Sequence, residues 1–191
     1  MNLKELYELV IKLGIEADPR GKDLVLKGLE RIKKEYALLK EEEKKIFDKE
    51  RFANPYADTR ILNGPPDKRI KTVLAGIDME VGEVLLADRL IEKGKKIDLV
   101  MSHHPEGRAL AGFYDVMHMQ ADILNKIGVP IAVAESILGE RISEVERRLL
   151  PGNHTRAVDA AALLGLAFIC AHTPADNCVT SFLQEKVNSE K

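Results

Sequence analysis

From Ile70 onward, short apolar runs that read as strands alternate with longer segments whose apolar residues recur at helical spacing, and this alternation narrows the fold most. The runs are IKTVLAGI (Ile70 to Ile77), IDLVMS (Ile97 to Ser102), VPIAVA (Val129 to Ala134) and LAFICA (Leu166 to Ala171). Between them, Val81, Val84, Ala87 and Ile91 mark a helix over Val81 to Glu92, with Gly94 as its stop. Further helices are predicted from Tyr114 to Ile127, from about Ser136 to Leu149, from an Asn153 cap to Leu164, and from Pro174 onward. Such a pattern predicts an α/β fold with a mostly parallel sheet flanked by helices. Sites in these sheets collect at the carboxyl ends of the strands. Asp78, His103 with His104, and His172 to Asp176 should therefore share one rim.

The first third of the chain reads differently. Leu3, Leu6, Tyr7, Val10 and Ile11 predict one helix, and Val25, Leu29, Ile32, Tyr36 and Leu39 alternate steps of four and three. That spacing fits either a short coiled coil or, more simply, a helical hairpin packed on its own domain. Phe52 to Lys68 is rich in Asn, Asp and Pro and reads as a connection. The expected organisation is an N-terminal helical extension and linker over 1–65, then an α/β domain over 66–191.

Composition excludes more than it assigns. A net charge of −2 gives no electrostatic reason for nucleic acid or an anionic membrane to be the main partner. The longest uncharged run, Ala160 to Ala175, is too short and too broken by Gly165 and Pro174 to span a bilayer, and MNLKELYELV has no signal-peptide core. Cys170 and Cys178 do not make a disulfide framework; they read as small core residues in a protein of the reducing cytoplasm.

The chemistry gathers at the predicted rim. Neighbouring side chains on a strand point to opposite faces, but at a strand end the backbone turns, and Pro105 keeps His104 out of the helical region. His103 and His104 could then serve two nearby ions, or one could ligate while the other hydrogen-bonds; the alternative is a pair of ordinary loop residues. HTPAD adds a second imidazole source, His172, and a carboxylate, Asp176, although Asp176 would also suit a helix cap. Imidazole and carboxylate together favour Zn, Mn, Fe or Ni over Ca or Mg. No glycine-rich nucleotide loop is present, and Ser102 beside His103 lacks the context of a nucleophile elbow. His118 and His154 read as helix residues.

GIDMEVGEVLLADRL, DLVMSHHP and HTPAD, each after a strand, resemble the Nif-three-like family, whose members are also described as dinuclear-metal-binding, GTP cyclohydrolase I type-two-like proteins. The resemblance covers roughly Lys71 to Val179. It implies an α/β fold, homo-oligomeric assembly, and a two-metal centre in which His103, His104 and Asp176 are ligands, with His172 in or beside the shell. It also implies a late His-x-x-x-Glu pair, yet no histidine follows His172 in this chain. Asp78, Glu106, Glu135 and His154 are the residues that could stand in.

Two functions follow as expectations. One is a divalent-metal-dependent hydrolase acting on a nucleotide or phosphate-containing small molecule, with His172 as positioning group or proton shuttle and Arg108 available to an anion. The other is a non-catalytic metal-binding regulatory or interaction protein working as a homo-oligomer.

Overall fold

The structure is a computed structural model describing residues 1–190. It opens with helices α1 (Leu3–Glu16), α2 (Lys22–Leu38) and α3 (Glu41–Ile46), then a single 3₁₀ turn at Lys49–Phe52. The order continues β1 (Arg60–Asn63), β2 (Val73–Gly76), α4 (Val81–Glu92), β3 (Leu99–Ser102), α5 (Gly107–Ala111), α6 (Phe113–Val116), α7 (Met119–Lys126) and α8 (Ile131–Leu149). It ends with α9 (Arg156–Leu163), β4 (Ala167–Cys170) and α10 (Thr173–Ser189).

The four strands form one sheet in the order β1-β4-β3-β2, with β2, β3 and β4 parallel and β1 antiparallel at the edge. Both faces are covered, which explains why β3, up to its terminal Ser102, and β4 are apolar. Val100 and Phe168 pack with Val84 and Ala87 of α4 and Ala157 and Ala161 of α9. Their neighbours Leu99, Ala167 and Ile169 face the other way, onto Leu3 and Ile70. The mostly parallel sheet between helices is thus as the alternation predicts.

Two sequence expectations are corrected. VPIAVA is no strand: Pro130 caps the start of α8, and the run continues into that helix with Ala134 and Ile142 buried eight residues apart on one stripe. Periodicity over six residues could not separate the two. Within the segment read as a connection, RILN is the edge strand β1, paired to β4 through Arg60↔Cys170 and Ile61↔Ile169. The helix predicted over Tyr114 to Ile127 is also interrupted, falling into α6 and α7.

The N-terminal helices build on the same core. Asn2 Oδ1 accepts from the Glu5 amide at 2.8 Å while the Glu5 carboxylate accepts from the Asn2 amide at 2.9 Å, so α1 starts with a capping box. Ile11 and Ile15 of α1 pack with Val25 and Leu29 of α2, Tyr56 and Val116. The heptad-like residues of α2 are thereby spent inside the chain, as in the hairpin alternative; Tyr36 meets Phe47 tilted and Phe52 edge-on. Where α1 crosses α10, a Cβ on Gly14 would lie 2.6 Å from Pro174 Cβ, a contact only glycine permits. Asn177 of α10 donates to the Gly14 carbonyl at 3.1 Å there. Among the described residues, no helix is long and apolar enough to cross a membrane.

Candidate metal centre

The strands stop at a rim that gathers the predicted residues. Beyond β3, the His103 and His104 amides donate to the carbonyls of Gly76 and Ile77 at 2.9 and 2.8 Å, pinning that loop to the end of β2. The Ala171 amide donates to the Ser102 carbonyl at 3.0 Å, doing the same for the end of β4. This brings His172 beside the pair. The His103 and His172 rings stack at 4.7 Å, His103 and His104 lie 5.2 Å apart, and Phe113 meets His172 edge-on at 5.4 Å.

One ring nitrogen from each of His103, His104 and His172 lies within 4.8 Å of the other two. Carboxylates back two of the rings. His104 Nδ1 is 2.6 Å from Asp78 Oδ1, and His172 Nδ1 is 2.9 Å from Asp58 Oδ2. An ionised carboxylate only accepts, so both rings carry their proton on Nδ1 and leave Nε2 free. That is the arrangement by which proteins orient metal-binding histidines.

Beside this group stands Asp176, half exposed on the first turn of α10. Its carboxylate stands 3.5 Å from His103 Nε2 and 3.8 Å from His172 Nδ1. The first distance is long for a hydrogen bond, yet two ligands of one tetrahedral ion, each about 2.1 Å from it, sit about 3.4 Å apart. Three imidazoles and one carboxylate form a donor set suited to a borderline transition metal, so the residues present fit such an ion.

Asp58 is the residue that the sequence did not single out. Fully buried, it also accepts from Thr173 Oγ1 at 2.6 Å and Thr59 Oγ1 at 3.3 Å, while Thr59 Oγ1 accepts from the His172 amide at 3.1 Å. Its location follows from register: Arg60 pairs with Cys170 in an antiparallel ladder, so two residues further out Asp58 faces His172. Treating RILN as a linker hid that relation; β-branched Thr59 and Ile61 around Arg60 were the available signal. Burial opposes a charged His172, but Asp58 at Nδ1, with Asp176 nearby, outweighs it and holds the ring's pKa above the ordinary imidazole value.

The proposed stand-ins divide. Asp78 backs His104 as described. Glu106 is half-buried, and burial, then the charges of Glu80 and Asp78, raises its pKa. Glu135 is exposed on α8, and His154 Nε2 is engaged with the Leu149 carbonyl at 2.6 Å. None of the four joins the three-imidazole group. Arg108 is paired with Glu50 and donates to the Ile61 carbonyl at 3.1 Å, so it is not a free anion contact. Cys170 is buried as expected, with its thiol pushed up to about 12 by burial, but Cys178 is exposed and belongs to no core.

A solved structure, that of a NIF3 superfamily protein from Sphaerobacter thermophilus, matches this chain with a TM-score of 0.58 and 29% identity. The fold is Nif-three-like. The match takes in 64% of this chain and 42% of that one, so the present chain spans less than half of its Nif-three-like relative. No protein-family profile and no curated protein matches the chain.

Proposed function

We propose that this protein is a divalent-metal-dependent hydrolase acting on a nucleotide or another phosphate-containing small molecule. The observation that carries the reading is the convergence of His103, His104 and His172, with Asp58 and Asp78 fixing two of the rings from behind. In that role His172 is a ligand, a revision of the proton-shuttle expectation. His103 and Asp176 complete the donor set from one side.

His103, His104 and His172 would hold a divalent ion, which would supply Lewis acidity toward a phosphoryl or carbonyl oxygen. The chain's residues contribute orientation and access. Asp58 and Asp78 hold the Nδ1 protons, so the rings cannot rotate away from the rim. His103 and His172 are largely covered, whereas His104 and Asp176 have side chains 49% and 53% exposed, leaving one open side for a substrate.

The test is turnover. Protein supplemented in turn with Zn, Mn, Fe and Ni is assayed against GTP, other nucleotides and simple phosphoesters, with and without a chelator. Chelator-sensitive turnover in at least one combination is the expected result. Metal binding with silence across the panel would overturn the hydrolase reading and leave a non-catalytic metal protein. One observation favours that second reading, with assembly into homo-oligomers: the outer half of α10 exposes Val179, Phe182, Leu183 and Val187, each more than half accessible.

A further inference from the structure

We infer that the rim holds one metal ion per chain and not the pair that the family resemblance implies. The inference rests on the metal-binding reading above and concerns how many ions that reading allows.

Three features of the donor set point to a single ion. First, each imidazole can serve one ion only. His104 and His172 have given Nδ1 to Asp78 and Asp58, at 2.6 and 2.9 Å, so each offers Nε2 alone. One ring nitrogen of each imidazole lies within 4.8 Å of the other two, so the three form a single group.

Second, a bridge is missing. Two-metal sites hold their ions about 3.5–4 Å apart as a clamp on shared oxygens, and a carboxylate facing the rings is the bridge that the chain itself could offer. Among the described residues no carboxylate belongs to the three-imidazole group. Asp58 is turned behind His172 and saturated by Thr173 and Thr59, and Asp78 is turned behind His104. Only Asp176 faces the rings, and its near neighbour is His103 at 3.5 Å.

Third, charge disfavours a pair. Two dications so close repel strongly at any dielectric a protein provides, and neutral imidazoles do nothing to offset that charge. One carboxylate facing the ions cannot balance four positive charges, whereas three imidazoles, with Asp176 beside His103, suit one ion and leave a position open.

The experiment is a calorimetric titration of the full, tag-free, chelator-stripped chain with Zn²⁺, repeated with Co²⁺ while its visible absorption is followed. One equivalent per chain is expected, with the cobalt bands saturating at that same ratio and no second ion within a hundredfold of the first in affinity. Two equivalents of comparable affinity would overturn the inference while leaving the metal-binding reading intact. No binding of either ion would overturn the metal-binding reading itself, and this inference with it.

Discussion

Asp58 and His172 face each other across the antiparallel β1–β4 edge, with the buried carboxylate 2.9 Å from His172 Nδ1. This pair joins the edge strand to the rim, so the histidine's ring is set by the sheet and not by its own loop.

Replacing that carboxylate should therefore weaken metal binding without removing a ligand. Asp58→Asn keeps the volume but can offer an N–H to the ring, and the loss expected of such a partner is about 10- to 100-fold in affinity. Competition with a colorimetric chelator measures it. Asp78→Asn, behind the more exposed His104, should cost no more than about tenfold; an equal or larger loss than at Asp58 would argue against the burial-based ranking.

The same pair predicts a pH signature in the metal-free protein. His172 has a folded pKa above its ordinary 6.5, because Asp58 and Asp176 outweigh its burial. The stabilisation this gives is complete below about pH 6.5 and is lost as pH rises through the folded value. Denaturant titrations in chelator should show stability falling on the alkaline side of pH 6.5, and Asp58→Asn should flatten that fall. A wild-type curve rising over the same interval would contradict the assignment.

Much of this was legible in the sequence. β2, β3 and β4 are short apolar runs, and a parallel order of such runs places Asp78, His103, His104 and His172 on one rim. What stayed hidden depended on tertiary context. RILN is four residues in a stretch rich in turn formers, and nothing local shows that β4 will pair with it; without that pairing Asp58 is one more loop aspartate. VPIAVA misled for the opposite reason, since its apolar run belongs to a helix that begins at Pro130. The partners of Arg108 were equally invisible, because Glu50 lies 58 residues away.

The crossing of α1 and α10 yields a contrasting pair of glycine variants. Gly14→Ala places a methyl 2.6 Å from Pro174 Cβ at the start of the helix that carries Asp176. Overpacking of this kind costs about 1–3 kcal/mol, and the displaced helix start should weaken metal binding as well. Gly28→Ala, inside α2 with open space around it, should stabilise by up to about 1 kcal/mol through helix propensity. Thermal melts and metal titrations of the two variants side by side check both signs.

A buried ion pair supports the same junction. Asp18 is fully covered, bonded to Arg20 at 2.9 Å, to the Tyr56 hydroxyl at 2.9 Å and to Asn177 at 3.3 Å. Burial alone would raise its pKa, but the Arg20 guanidinium overrides this and holds the carboxyl below its usual range. Arg20→Ala leaves that charge unpaired, and unfolding experiments should register a loss of about 3–5 kcal/mol; a loss under 1 kcal/mol would show that the network is slack.

The central claim, that His103, His104 and His172 form a metal site, is met most directly by elemental analysis of the purified protein and of His104→Ala. The account predicts Zn, Mn, Fe or Ni bound by the wild type, as isolated or after supplementation and desalting, and lost from the variant while its fold persists by circular dichroism. A wild type that stays metal-free after supplementation, or a variant that retains the same metal content, would contradict it.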